Sequence, residues 1–252
     1  MTLWNNSVLI LAVVNAVAVP LELTVYRDLS ENSTYVVIDL IINAIFLLDV
    51  LISFNTSFFS TEGELVRGRK DIAVNYMFHG AFFIDFFSSI PYTLIGLKTL
   101  KFMKILKIFR ITRLSKVIEK MTLEEDQKAG VKILKLIFEL FLIMHLLGCT
   151  WFYIVAIYEE DNYWSPPLDF IWVSRPNYYR FYDSDEVSPL YQYLVCLYVA
   201  VLALGGNEMG PRTNVEIMAM FGILIFLTMY NALIFGDMTV LVSQVTAKAS
   251  KF

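Results

Sequence analysis

Between Lys98 and Lys116 a cation stands at every third position: Lys98, Lys101, Lys104, Lys107, Arg110, Arg113 and Lys116. Almost everything between them is apolar. A charge at the centre of a bilayer costs at least about 2.5–3.5 kcal/mol, so a row of such charges cannot face lipid. Spacing of three gathers them on one stripe, straight on a 3₁₀-helix and slowly winding on an α-helix. Such a stripe is tolerable only against a water crevice or against acids on neighbouring helices. The acids available are Asp39 and Asp49 in the second apolar segment, Asp85 in the third and Glu22 in the first. Moving the stripe through the membrane field would yield ~2.3 kcal/mol per charge per 100 mV. The pattern is that of a voltage sensor. The competing arrangement is a basic amphipathic helix lying on the inner leaflet, which needs neither strict threefold spacing nor acids within the membrane.

The rest of the chain makes the bilayer the solvent. It has 252 residues, of which 57% are hydrophobic and 17% charged, against roughly a quarter charged in a soluble domain. Its mean hydropathy is +0.60. Apolar segments are expected at 7–26 (interrupted by Pro20), 35–59, 72–94, 97–118, 130–157 and 215–245, each near or above the roughly 20 residues that cross a hydrocarbon core. The fold class expected is an all-α membrane protein with six transmembrane helices. Four form a voltage-sensor domain over 1–118, a short linker occupies 119–129, and 130–252 forms a pore domain.

The stretch "LYQYLVCLYVAVLALGGNEMGPRT" between the last two spans is apolar but too short to cross. It is expected to enter the membrane as a helix over about 189–204 and return. Non-helical backbone at that depth is tolerated only where it lines water or is buried in protein. Gly205 and Gly206 have no side chains, so their carbonyls can point at an axis. The C-terminal end of a half-helix favours cations, and carbonyl rings about a fourfold axis replace an ion's hydration shell. Asn207 and Glu208 would sit at the mouth, with Glu208 able to form an acidic ring. An ordinary glycine-rich turn between two helices is the plainer alternative.

Other residues carry less. With both termini on one side, the loop after the fifth span lies opposite them; it holds Glu159, Glu160, Asp161, Asp169, Asp183, Asp185 and Glu186 against Arg175 and Arg180, and the positive-inside tendency then puts it outside and the termini in the cytoplasm. Its tyrosines and tryptophans suit an interfacial belt. Asn32 in "NST" would then be an outward-facing sequon. No cleavable leader is evident, since the first apolar stretch lacks a basic start and is too long. Cys149 and Cys196 lie inside apolar runs, which suits buried thiols better than a disulfide or metal pair. His145 is expected buried and hydrogen-bonded, His79 interfacial, and Met218, Met220, Met229 and Met238 packed. The net charge of −4 gives no reason to expect nucleic acid as a partner. No nucleophile–base pair, phosphate loop or metal-spaced cluster is present, so neither an enzyme nor a cofactor is expected.

Several stretches together resemble one family: the transmembrane part of the cyclic-nucleotide-binding-domain superfamily of six-helix cation channels, which includes the ether-à-go-go, hyperpolarisation-activated and cyclic-nucleotide-gated groups. The stretches are "NAVAVPLEL", "FLLDVLISFNTSFFSTEGELV", "NYMFHGAFFIDFFSSIPY", "HLLGCTWFYI" and "YNALIFGDMTVLV". The last two are similar to the family's "HWxACxWY" and "YATIFGNVTTI". The resemblance implies a homotetramer with the pore on its axis. It implies that Asp49 and Asp85, with Asp39, act as charge-transfer acids, with Phe46 as a hydrophobic plug. It places a gate on the lower sixth helix near 234–245, and the short link "VIEKMTLEEDQKAG" suggests sensors on their own subunit's pore domain.

Departures are concentrated in the filter. Where the family's potassium filter reads like "SVGFGN", this chain has "ALGGNE", that is Ala203, Leu204, Gly205, Gly206, Asn207 and Glu208. A hydroxyl ligand, the aromatic position and the second glycine are all replaced. Asn43 stands where ether-à-go-go channels tend to have an acid, and Asp237 replaces an asparagine.

The function expected is that of a pore-forming subunit of a voltage-sensor-bearing channel. Its partners would be permeating cations (potassium, or sodium and potassium without selection) and the lipid bilayer of a plasma or ciliary membrane. A cyclic nucleotide could act only through a domain outside this chain. The alternative is a non-conducting channel-like accessory subunit of a larger membrane assembly, or the membrane part of a fused signalling enzyme.

Overall fold

The computed structural model describes residues 2–59, 64–80, 82–91, 104–109, 125–158, 187–207 and 210–249. The chain divides into two compact units, Met1–Leu23 with Arg27–Val117, and Thr24–Tyr26 with Ile118–Phe252. Among the described residues the fold is all-α apart from a two-stranded hairpin. Among the described residues four helical stretches are long and apolar enough to cross a membrane: Leu3–Leu23, Ser33–Ser53, Ala129–Ala156 and Asn214–Ser243.

In the first unit α1 spans Thr2–Leu23 and α2 spans Ser33–Ser53, with a 3₁₀ turn at Arg27–Glu31 between them. Asn32, read as a sequon, is the N-cap of α2: its Oδ1 accepts from the backbone N–H of Thr34 at 3.0 Å and of Tyr35 at 3.4 Å. α2 is inside-out by the standards of a soluble protein. Its buried residues are Asp39, Asn43, Phe46, Asp49 and Val50, whereas Val37, Ile38, Ile41, Leu47, Leu48 and Leu51 are exposed. A helix whose polar stripe faces protein and whose aliphatic face is bare belongs in hydrocarbon. The buried side of α1 includes Ala12 and Ala16 between Val8 and Val19, and small residues let membrane helices approach closely.

Two expected spans end differently. α2 stops at Ser53 rather than 59 because Asn55 Nδ2 and Thr56 Oγ1 turn back on the carbonyls of Leu51 and Ile52, at 3.0 and 2.8 Å. Short-chain polar residues that satisfy local carbonyls compete with helix continuation. The chain then forms a hairpin, β1 (Phe58–Phe59) against β2 (Leu65–Val66). The third segment, expected continuous over 72–94, is two helices, α3 (Arg69–Phe78) and α4 (Phe82–Ser89). The break falls at the exposed C-cap His79 and at Gly80, where any Cβ would lie 2.5 Å from the Tyr76 carbonyl oxygen. Only a glycine fits that bend. The cation-bearing segment is described over 104–109, where it is a 3₁₀-helix.

In the second unit α5 spans Glu125–Phe152, beginning before the expected 130, in a stretch where Glu125, Gln127, Lys128 and Ala129 are good helix formers. It runs on into a π-helical turn at Tyr153–Tyr158. α6 spans Pro189–Leu204, opened by Ser188 as N-cap with Pro189 at the first helical position. α7 spans Asn214–Ala249. Its start is a capping box: the Glu216 backbone N–H donates to Thr213 Oγ1 at 3.2 Å, and Glu216 Oε2 accepts from the N–H of Thr213 at 3.3 Å and of Arg212 at 2.6 Å. The core joins Trp151, Phe152 and Val155 of α5 and its π turn to Val195, Cys196, Val199 and Ala200 of α6, closed by Met220 and Leu227 of α7. At Gly148 the helices come so close that a Cβ would stand 3.2 Å from the Cys196 carbonyl oxygen. Both cysteines are buried free thiols, as expected.

Candidate functional site

Of the cations expected to form the sensor stripe, the structure describes two, Lys104 and Lys107. Three residues apart on a 3₁₀-helix, Lys104 and Lys107 emerge one above the other. Both are inside the protein, 1% and 0% exposed. Burying an ammonium costs several kcal/mol unless good partners replace its water. Lys104 Nζ meets Glu22 Oε1 at 2.5 Å and Asp39 Oδ2 at 3.3 Å, and Lys107 Nζ meets Asp39 Oδ1 at 2.8 Å. The acids are held in turn. Tyr35 donates its hydroxyl to Glu22 Oε2 at 2.9 Å, and Asn43 Nδ2 donates to Asp39 Oδ2 at 3.3 Å. Two cations against two carboxylates make the cluster electroneutral.

Further along α2 the lining becomes apolar and then acidic again. Phe46, 1% exposed, follows Asp39 by seven residues, about 10 Å at 1.5 Å per residue. Asp49 follows one turn later, and its Oδ1 accepts from Trp4 Nε1 at 2.9 Å. Asp85 of α4 is 2% exposed and accepts from the Tyr76 hydroxyl at 2.8 Å. Its backbone carbonyl takes the hydroxyls of Ser88 and Ser89 at 3.2 and 2.6 Å. Along α2 the buried Phe46 ring thus separates two buried carboxylates, Asp39 and Asp49.

All four acids named from the sequence are buried on helices of this unit, and Glu22 and Asp39 converge on the lysines. Lys98, Lys101, Arg110, Arg113 and Lys116 lie outside the described residues. Sequence reasoning missed Tyr35, Trp4 and Tyr76. Tyrosines and tryptophans in apolar helices ordinarily signal an interface, so nothing local marks these three as partners of acids.

The residues expected to form the filter follow the end of α6 in the other unit. Ala203 is buried, Leu204 half-buried, and Gly205, Gly206 and Asn207 exposed; Glu208 lies outside the described residues. α6 ends in a Schellman motif. The Asn207 N–H donates to the Leu202 carbonyl at 3.0 Å, the Gly206 N–H to the Ala203 carbonyl at 2.9 Å, and Gly206 takes φ 78°. Asn231 of α7 donates Nδ2 to the Leu204 carbonyl at 3.0 Å. This amide was also missed, although a polar residue in an apolar span is itself a signal. Beneath the helix, His145 is fully buried and its Nδ1 lies 2.9 Å from the Tyr193 hydroxyl, the buried and bonded histidine expected.

The family profile described as Ion transport protein matches residues 1–250 of the chain. The "Potassium voltage-gated channel protein eag" of Drosophila melanogaster is 26% identical over 99% of this chain and 23% of its own length. The "Voltage-gated delayed rectifier potassium channel KCNH1" of Rattus norvegicus is 28% identical over 100% of this chain and 28% of its own. The "Voltage-gated inwardly rectifying potassium channel KCNH6" of Homo sapiens is 27% identical over 99% of this chain and 28% of its own. The chain thus spans about a quarter of the length of these curated relatives.

Proposed function

Since this chain belongs to the ion transport protein family, a family of membrane proteins rather than enzymes, we propose that it is the membrane part of a voltage-gated channel for monovalent cations. Four copies would surround one pore. The observation that carries the reading is the pair of fully buried lysines held by Glu22 and Asp39. A static fold has little use for two ammonium groups inside a membrane helix bundle, because a well-packed apolar pair would be at least as stable. A device that converts membrane potential into motion needs them.

In this reading the termini face the cytoplasm, the Glu22–Asp39 level lies toward the outside, and Phe46 separates it from Asp49 and Asp85. Gly205, Gly206, Asn207 and Glu208 line the narrow part of the pore, and the lower part of α7 forms the gate. Arg110, Arg113 and Lys116 continue the stripe in sequence and would carry gating charge with the lysines. The relatives' names favour potassium among the cations. Regulation by a cyclic nucleotide, through a domain outside this chain, rests on the resemblance alone. The replaced filter residues favour a second reading, a sensor-bearing subunit that does not conduct.

Patch recording from cells expressing the protein, in potassium and sodium baths over a wide voltage range, separates the two. A current whose open probability follows voltage, and loses that steepness in Lys104→Gln/Lys107→Gln, is the expected result. Surface-expressed protein that gives no current at any voltage, with or without cyclic nucleotide, would leave the non-conducting reading.

A further inference from the structure

On the voltage-gated reading above, we infer that Asn43 is a way station for the sensor's lysines. Its Oδ1 receives the ammonium of Lys107 when the stripe advances inward by three residues, before the Phe46 ring is passed. The starting point is one atom of the sensor. Asn43 is 2% exposed. Its Nδ2 donates to Asp39 Oδ2 at 3.3 Å, yet its Oδ1 is buried with no hydrogen-bond partner. Buried polar atoms in folded proteins nearly all have one, and an exception inside an apolar helix bundle costs free energy.

The amide is part of the lysine cluster. Only its donor end can face a carboxylate, so Nδ2 is the atom bound to Asp39 and Oδ1 is the atom left over. The oxygen that holds the amide, Asp39 Oδ2, is also the one that Lys104 Nζ approaches at 3.3 Å. An ammonium has three donors and no acceptor, so an amide oxygen suits it. Asn15 of α1 is buried with an unpartnered atom as well, but that atom is Nδ2, a donor, which an ammonium cannot use.

The spacings agree. Residues 104–109 form a 3₁₀-helix, in which three residues advance about 6 Å. Asn43 follows Asp39 by four residues on α2, again about 6 Å along the axis. One step of three residues therefore carries Lys107 from the level of Asp39 to that of Asn43, while Lys104 takes over Asp39. Phe46, 1% exposed, lies three residues further on, another ~4.5 Å. Without Oδ1 the ammonium would leave Asp39 directly for apolar surface. With it the step ends at an acceptor. A neutral amide holds an ammonium less firmly than a carboxylate does, so charge passes through this level and does not rest there.

Gating currents from the full-length protein, recorded with permeant ions replaced, test this whether or not the pore conducts. Asn43→Leu removes the acceptor and is expected to slow charge movement about tenfold, the equivalent of one hydrogen bond to a charged group. Asn43→Asp keeps an acceptor and makes it a carboxylate, so charge is expected to pause at that level and split the charge–voltage curve into two components. A role confined to holding Asp39 predicts otherwise. Both variants lose the Nδ2 donor, so both would then shift the curve alike without splitting it, and that result would overturn the inference. In a Lys107→Gln background the slowing by Asn43→Leu is expected to be smaller; undiminished slowing would overturn it equally. Should Asn43→Leu fail to reach the surface, Asn43→Asp decides alone, with a single component of wild-type kinetics as the overturning result. Surface-expressed wild type that moves no charge would remove the voltage-gated reading itself, and this inference with it.

Discussion

Lys104, Lys107, Glu22 and Asp39 form a closed electrostatic set, and each substitution within it leaves a definite remainder. Asp39 touches both lysines, at 3.3 and 2.8 Å, so Asp39→Asn leaves a buried positive charge short of a partner. Breaking a buried pair costs about 3–5 kcal/mol. If the outer level holds the stripe in its activated position, a loss of about 3 kcal/mol spread over two charges, at ~2.3 kcal/mol per charge per 100 mV, moves activation by roughly 65 mV toward depolarised potentials. Asp39→Glu should move it far less. Conductance–voltage curves for the two variants decide between these outcomes, and an unmoved Asp39→Asn curve would show that the set does not bear on gating. Tyr35→Phe removes one hydrogen bond to Glu22, and a smaller shift in the same direction follows, since one hydrogen bond to a charged group contributes about 1.5–3 kcal/mol. The acids were legible in the sequence because a carboxylate in an apolar span has so few other uses. Trp4 was not, since it meets Asp49 across 45 positions of sequence and only folding brings them together.

Helix boundaries show what an apolar run can and cannot say. α6 was legible to the residue because serine and proline open it and two glycines close it, and each of these has a local physical cause. The division of the third segment into α3 and α4 was not, because it is decided by backbone crowding at Gly80 against Tyr76 and not by hydropathy. Packing between helices sets a contrast that can be measured. At Gly148 a methyl would press on the backbone of Cys196 and Leu197, whereas at Gly222 a Cβ meets nothing within 4 Å. Gly148→Ala is expected to lower stability by about 1–3 kcal/mol through overpacking, and Gly222→Ala to leave it unchanged or raised. Thermal unfolding of the detergent-solubilised protein reads both, and equal effects would mean that the α5–α6 approach is not tight. Glu216 is fully buried and caps α7. Glu216→Ala should therefore lower the same melting temperature, with a loss of about 1–2 kcal/mol, and Glu216→Gln should restore part of it.

At the scale of the molecule, α7 leaves much of its surface uncovered, with Phe221, Met229, Leu233 and Phe235 each more than 60% exposed. Lipid and neighbouring copies of the chain are the two covers that an apolar surface of this kind accepts in a bilayer. On the proposed function part of it faces other subunits. Light scattering of the protein in a mild detergent is then expected to give a mass near four chains, and a stable monomer that still conducts after reconstitution would exclude that arrangement. The general plan of spans, stripe and re-entrant helix was open to reading because a bilayer allows so few solutions. Which carbonyls end up committed was not, because hydrogen bonds between separate helices leave no periodic trace. The level at Glu22 and Asp39 has one more consequence. It is a fixed pair of seats, and the sequence presents lysine at 98, 101, 104 and 107. A slide of the stripe by three residues inward would seat Lys101 where Lys104 was and Lys104 where Lys107 was, the occupants changing while the chemistry stays the same. At that level an ammonium is then never required to sit in the bundle without a carboxylate to receive it, whichever of these lysines is there.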